Sequence, residues 1–524
     1  MRERSARRRQ IAVAALVVAL PLGYLSLDAL DVVPGFVTSD LGREDRTQVP
    51  ESEAPAGQAG AAGARQDNNA VPRVPPPLAA ATPAPLPTQI PAEAASPALT
   101  TAGLTAALRP QLTNPALGPS VGMEVRDASG AVLFAHDAGR ARTPASTTKV
   151  LTAVALAQAQ DLTQRFETRA VLVAGAEATP ATAATTATTA TTGASAGVSA
   201  APAQTTIALV AGGDNLLAPD RGDPGSVIGQ AGLGDLARAT AAALEQRGTR
   251  GPVRVVLDDT YARGPALAPG WQPGDVALGL TGPVAMLGLA TDRAEPYRPS
   301  TADPALHATA AFAGALTAAG LHVEGRPSRA AAPPDAAELA TVASAPIGDV
   351  LAIALDDSDN DLTETLARWG CHQAGAPTTF AGCAAWVRDQ LTAAGIDVRG
   401  VRLTDTSGLS GGSQVPVTAL AAAMAHGASG TNPSLSGVLA RLPVAGLTGT
   451  LDERFLAAAA SRGVGLVRAK TGTLTGVSAL AGSVVDADGR MLTFAIVADR
   501  VPGTVPARLA LDRLAATLAA CGCR

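Results

Sequence analysis

All but two of the chain's 40 lysine and arginine residues are arginine. The exceptions, Lys149 and Lys470, each stand in a short motif that demands its own structure. Ser146-Thr147-Thr148-Lys149 calls for a helix start, because a spacing of three places a hydroxyl and an amine on one face. Lys470-Thr471-Gly472-Thr473 leads into an apolar run and predicts a strand beginning at Leu474. Between them lies Ser358-Asp359-Asn360, at the head of a polar-then-apolar segment. A fold that serves all three must bring together a helix start, a capping segment and a strand from positions more than 300 residues apart.

The chemistry explains why lysine is kept here. Arginine stays charged in proteins, whereas a partly desolvated lysine gives up its proton and acts as a base. A serine hydroxyl is a weak nucleophile until such a base takes its proton. The helix start adds positive potential beside the reacting serine. At the second motif an ammonium and two hydroxyls offer a carboxylate site, and Gly472 lets a ligand lie close to the strand. Ser358-Asp359-Asn360 taken alone also reads as an ordinary helix cap.

Other signals are weaker. Gly193-Ala194-Ser195-Ala196-Gly197 fits a nucleophile-elbow pattern, but it lies inside an Ala/Thr/Ser run with no strand before it or helix after it. The five histidines are scattered, without the spacing of metal ligands, so no metal and no cofactor is expected. A formal net charge of -5 and the lack of a long basic run argue against nucleic-acid binding. Aromatics are 2% of the chain, so its core must be built from Ala, Leu and Val.

Five arginines within residues 2–9 precede the apolar run Ile11–Leu27. This order orients the rest of the chain to the outer side of a membrane. Residues 1–30 read as a signal peptide or membrane anchor, and the lack of a clean cleavage site favours the anchor. Residues 31–98 are rich in Pro and Ala and read as a disordered, partly extended tether. Four cysteines allow three pairings, of which Cys371–Cys383 is favoured because it closes a short loop in an oxidising compartment.

Ordered patterning starts near residue 99. Leu104, Leu108 and Leu112 predict a short helix, Val121–Val125 and Val132–Ala135 a hairpin, and Val150, Leu151, Val154 and Leu156 the helix carrying Lys149. Arg169–Val173 and Thr206–Val210 read as strands flanking a low-complexity loop over 176–204. A helix over Leu233–Gln246 and a strand over Val253–Leu257 follow. Leu351–Ala367, strands at Leu474–Val485 and Leu492–Ala498 and a last helix Pro506–Ala519 complete the pattern.

The three motifs, in this order, resemble those of penicillin-binding proteins and class A β-lactamases. The wider resemblance is to the type-4, class C low-molecular-mass group, the D-Ala-D-Ala carboxypeptidases and endopeptidases of peptidoglycan. It runs from about Leu104 to the C-terminus. It includes Pro269-Gly270-Trp271, Asp405-Thr406-Ser407-Gly408-Leu409-Ser410, Leu442-Pro443-Val444-Ala445-Gly446, and Gly449-Thr450-Leu451 with Arg454. About 210 residues separate Ser146 from Ser358, and in this family that gap houses an inserted region.

The resemblance implies an α+β fold: an antiparallel sheet with helices on both faces, a helical subdomain, and an accessory α/β insertion. The catalytic part would then be 99–170 and 346–524, with the insertion over 171–345. Ser146 is the implied nucleophile and Lys149 its base, while Ser358 and Asn360 assist proton relay to the leaving amine. Lys470, Thr471, Gly472 and Thr473 bind the terminal carboxylate, and Asp275 is a weaker candidate for recognising the stem-peptide side chain. An aromatic that often follows that acid is missing, and the family's Gly-Asp-Pro reads Gly213-Asp214-Asn215. Peptidoglycan stem peptides are the implied substrates and β-lactams the implied inhibitors, with the cytoplasmic membrane a partner if the N-terminal segment is retained. Two alternatives are a β-lactamase or esterase of the same fold and a non-catalytic peptidoglycan-binding scaffold. The first lacks a glutamate placed for deacylation between the second and third motifs, and the intact motif trio argues against the second.

Overall fold

The period-two patterns and the helical repeats both find their partners in the computed structural model, which describes residues 99–174, 205–249 and 251–524. The N-terminal segment and tether, the low-complexity run and the Gly193–Gly197 decoy lie outside the described residues. We number the main elements along the chain. The helices are α1 (Thr101–Leu112), α2 (Thr148–Ala159), α3 (Leu233–Gln246), α4 (Pro304–Ala318), α5 (Ile347–Asp356), α6 (Asn360–Gln373), α7 (Phe380–Ala393), α8 (Val417–Ala428) and α9 (Thr504–Ala519). The strands of the two large sheets are β1 (Ser120–Asp127), β2 (Val132–His136), β3 (Arg165–Ala174), β4 (Thr205–Val210), β5 (Val253–Asp258), β6 (Ser328–Arg329), β7 (Ala337–Pro346), β8 (Val467–Leu474), β9 (Val477–Val485) and β10 (Met491–Asp499).

The first sheet is antiparallel throughout, in the order β8-β9-β10-β1-β2. Both its faces are covered. Along β10, Leu492, Phe494, Ile496 and Ala498 pack with α1 and α9, while Ala495 and Val497 join the cluster of α2 and α8. Alternate residues of a strand point to opposite faces, so a single strand feeds two cores. The face toward α2 and α8 is lined by alanines, among them Ala479, Ala481 and Ala495. Small side chains let helices lie close, which fits a chain poor in aromatics.

Residues Thr148 to Ala157 of α2 are all buried. A helix that is apolar nearly all round belongs in an interior, and this one lies between the first sheet's helices and α7.

The second sheet runs β7-β3-β4-β5-β6 and spans Arg165 to Pro346 in sequence. β3 is antiparallel to both its neighbours, β7 and β4, and β4, β5 and β6 are parallel. Helices α3 and α4 pack on each other and against this sheet. Leu151, Ile207, Phe312 and Leu351 belong to one continuous core, so this segment is welded to the rest.

Two expectations need correction. The motif beginning at Lys470 lies within β8 rather than ahead of a strand, and a turn at Thr475-Gly476, with Gly476 at φ 73°, separates β8 from β9. The strand was hidden because Lys470 and Thr471 are buried polar residues that break apolar alternation. Leu351–Ala367 is not one stretch: it is divided between α5 and α6 at Ser358, whose φ is 58°. Disulfides join Cys371 to Cys383 and Cys521 to Cys523. Among the described residues no helix is long and apolar enough to cross a membrane.

Candidate active site

The chain enters the site through Thr143-Pro144 and turns sharply at Ala145, a non-glycine residue at φ 48°. Such left-handed backbone is strained and persists only where the surroundings hold it. They do so here. The Pro144 carbonyl accepts from Thr147 Oγ1 at 2.6 Å, and the Ala145 carbonyl accepts from Thr148 Oγ1 at 2.8 Å. Ser146 therefore sits on a 3₁₀ turn, Ala145–Thr147, that runs into α2. In that tight geometry residues i and i+3 eclipse, and Lys149 Nζ lies 3.1 Å from Ser146 Oγ.

Lys149 is completely buried. Its Nζ donates to Asn360 Oδ1 at 2.5 Å and to the Ser407 carbonyl at 2.9 Å. Among the described residues no carboxylate touches it directly. Burial therefore wins over the more distant Asp405, Glu364, Asp359 and Asp361 charges, and its pKa is pushed down to about 8. Asn360 is itself fixed, since its Nδ2 donates to the Leu280 carbonyl at 2.7 Å.

The Ser407 carbonyl is held in place by two buried acids. Glu364 accepts from the N–H groups of Thr406 (2.9 Å) and Ser407 (2.7 Å) and from Thr406 Oγ1 (2.6 Å). Asp405 accepts from the N–H groups of Gly408 and Ser410 and from Trp271 Nε1. Burial and the neighbouring Asp405 raise the pKa of Glu364 to about 7. Gly408, at φ 80°, comes so close to the turn that a Cβ there would lie 2.0 Å from the Ala145 carbonyl oxygen.

β8 forms one edge of the first sheet. Its outer side is covered at the start, where Ala445 N–H donates to the Val467 carbonyl and Ala469 N–H to the Pro443 carbonyl. Because Val467 and Ala469 direct their backbone groups outward, the period of two directs those of Thr471 and Thr473 to the same edge. Lys470 is fully buried, with Nζ 3.1 Å from the Thr471 carbonyl. Burial first, and the nearby Lys149 charge second, push its pKa well down. Thr471 Oγ1 donates to Thr450 Oγ1 at 3.0 Å.

Gly472 also has a packing role. A Cβ there would meet the Pro144 oxygen at 2.9 Å and Ala145 Cβ at 3.2 Å, so the glycine seats the serine turn against β8. Thus Ser146, Lys149, Asn360, Lys470, Thr471, Gly472 and Thr473 converge. Ser358 stands at the adjoining turn, half-buried, and its hydroxyl makes no hydrogen bond among the described residues. The Asp275 carboxylate turns back on its own short helix, Pro273–Ala277, and accepts from Gln272 N–H at 2.8 Å.

Sequence reasoning listed Asp405–Ser410 only as part of a resemblance and gave no role to Ser407, Glu364 or Thr450. What marks them is burial, which the fold alone reveals: Glu364, Asp405, Thr406 and Ser407 are each less than 4% exposed.

The chain is similar over most of its length to known proteins. The model of the D-Ala-D-Ala carboxypeptidase 3 (S13) family matches residues 104–300 and 290–518. Carboxypeptidase DacB of Mycolicibacterium smegmatis is 37% identical over 322 residues, 60% of this chain and 68% of that protein. Carboxypeptidase Rv3627c of Mycobacterium tuberculosis is 34% identical over 385 residues, 72% of this chain and 76% of that one. The crystal structure of penicillin binding protein 4 from Haemophilus influenzae shares the fold, with a TM-score of 0.59 at 19% identity, covering 79% of this chain and 98% of that one. The chain therefore belongs to the D-Ala-D-Ala carboxypeptidase 3 (S13) family, the class C low-molecular-mass penicillin-binding proteins, and is a serine-type peptidase of that family.

Proposed function

We propose that the chain cleaves D-Ala-D-Ala and related cross-link bonds of peptidoglycan stem peptides through an acyl-enzyme on Ser146. The observation that carries this reading is the Lys149 amine, fully buried, 3.1 Å from Ser146 Oγ, with no acid in contact among the described residues. A pKa near 8 leaves a fraction of that amine neutral at pH 7, ready to take the hydroxyl proton. Ser146 Oγ then bonds to the carbonyl carbon. The backbone N–H groups of Ser146 and Thr473 stabilise the oxyanion. Collapse breaks the C–N bond, and the leaving amine takes a proton passed by Ser358 from Lys149, with Asn360 holding the lysine. Water releases the acyl group by the reverse proton path.

Lys470, Thr471 and Thr473 receive the terminal carboxylate. An incoming anion restores the charge that burial and Lys149 disfavour on Lys470, so substrate binding and the ammonium form stabilise each other. Residues 1–30 place the enzyme on the outer side of the cytoplasmic membrane, retained there as an anchor.

β-Lactams acylate the same serine and leave slowly. Glu364 is the glutamate nearest the site, and both its oxygens are taken by the 406–407 backbone and Thr406, so it is not free to activate a deacylating water. The test is mass spectrometry of the purified chain with benzylpenicillin, beside Ser146→Ala. One adduct on Ser146, absent in the variant, is expected. Digestion of pentapeptide muropeptides and cross-linked dimers then separates carboxypeptidase from endopeptidase action. No adduct and no digestion would defeat the reading, and fast nitrocefin turnover would favour a β-lactamase.

A further inference from the structure

Three carboxylates crowd the turn between α5 and α6: Asp357, Asp359 and Asp361 within five residues. The same turn holds Ser358 in left-handed backbone. Like charges at this spacing repel, and nothing local to a serine favours φ 58°. The turn therefore needs an external tie.

That tie is Arg293, which lies more than 60 residues earlier in the chain. Its Nη2 donates to Asp357 Oδ2 at 2.9 Å and to Asp359 Oδ2 at 2.8 Å, and its Nε reaches the same Asp359 oxygen at 3.1 Å. The guanidinium thus grips the residue on each side of Ser358. The side chain of Arg293 is 16% exposed and that of Asp359 5%, so solvent screens the pair at Asp359 only partly. The other oxygen of Asp359 caps α6 by accepting from Leu362 N–H at 3.0 Å. Two further bonds from the same stretch of chain hold the turn: Leu280 accepts from Asn360, and Gly282 N–H donates to Asp361 Oδ1 at 2.8 Å. A lysine has no fork with which to span two carboxylates.

We propose that Arg293 is a positioning residue for acylation: by clamping Asp357 and Asp359 it fixes Ser358 and Asn360 in register with Lys149. The 280–293 stretch then sets the reaction rate as well as supporting the fold. The inference rests on the proposed roles of Ser146, Lys149, Ser358 and Asn360.

The experiment uses the full chain. Binding and acylation are measured separately with a fluorescent penicillin by stopped flow, alongside thermal melting, for wild type, Arg293→Ala, Arg293→Lys and Arg329→Ala. Arg329 is a control: it pairs with Asp259, just after β5, and with Asp303, the residue that caps the start of α4, and not with the turn. Arg293→Ala is expected to acylate about 10- to 100-fold more slowly, the scale of a misplaced reacting group, with its dissociation constant for the encounter complex within about threefold of wild type. Arg293→Lys is expected to acylate about tenfold more slowly, and Arg329→Ala at the wild-type rate. Adding Asp357→Asn to Arg293→Ala is expected to cost less than it does in the wild type, since the two act through one contact. If Arg293→Ala fails to fold, Arg293→Lys carries the test. A folded variant that acylates at the wild-type rate overturns the proposal. So does a loss that falls entirely on binding, or a double variant whose effects simply add. Failure of wild type to acylate at Ser146 would instead defeat the underlying functional reading.

Discussion

The proposed chemistry depends on Lys149, whose surroundings leave little freedom. The amine is enclosed by Ser146 Oγ, Asn360 Oδ1 and the Ser407 carbonyl. A guanidinium is larger, planar and never neutral in proteins. Lys149→Arg is therefore expected to lower the acylation rate by at least ~10²- to 10⁴-fold, the contribution of a positioned general base. Rates near wild type with penicillin would remove Lys149 from that role. The pH dependence follows from the same burial. The reactive form is the neutral amine, and the pKa is near 8. Below that value each unit of pH converts about nine-tenths of the remaining neutral amine to ammonium, so second-order acylation falls about tenfold per unit. A pH–rate profile from 6 to 10 should rise and level off near 8. A profile flat across that range would contradict the assignment.

The loop Asp405–Ser410 acts as one element, fastened at its start by Glu364 and Asp405. Replacing Glu364 by Gln keeps an acceptor for the Thr406 and Ser407 N–H groups and removes a negative charge that raises the Lys149 pKa. Glu364→Gln should move the rising limb of the acylation profile to lower pH, whereas a loop held only by hydrogen bonding would leave the midpoint in place. Elements of this kind mark where sequence patterns stop being informative. α1, the β1–β2 hairpin, α3, β9, β10 and α9 were legible because their buried faces are apolar at regular spacing. β8 was not, because Lys470 and Thr471 occupy buried positions that an apolar pattern would fill. At Ser358 the helix start was legible as a cap, with Asp359 accepting from Leu362 N–H, but the left-handed backbone was not, because serine carries no signal for positive φ. The side chains proposed for catalysis, Ser146, Lys149 and Asn360, and Lys470, proposed for carboxylate binding, stand in short motifs that the sequence displays. The partners that fix them, Glu364, Arg293 and the carbonyls of Leu280 and Ser407, come from distant segments and from backbone atoms that all residues share.

At the scale of the whole molecule, buried acids make stability depend on pH in an unusual direction. Asp214 is buried, and its carboxylate accepts only from Leu216 N–H among the described residues, at 2.8 Å. Burial raises its pKa to about 7. Burial, with Asp359 nearby, raises Asp361 to about 8, and Glu364 lies near 7. The sign is fixed by linkage. Between the unfolded value, near 4 for carboxyl groups, and these raised values, the native state holds more protons than the unfolded chain. Stability from these groups is then complete below about pH 4 and declines as pH rises through 7 to 8. This opposes the usual trend, in which salt-bridged carboxylates gain stability above their unfolded pKa. Asp214→Asn isolates one contributor, because an amide has the shape of the protonated acid and Oδ1 still accepts from Leu216. At pH 4 the variant and the parent should melt within about a degree of each other. By pH 8 the variant should melt higher by about 2–5 °C. The gap should open between pH 4 and 7 and stay constant above, since the parent has by then lost all that this acid contributed. Melting curves that remain parallel from pH 4 to 8 would mean that Asp214 is ionised in the native state. A cation or water must then reach it beside Leu216, whose N–H it accepts, and Leu287, its partner on the neighbouring strand.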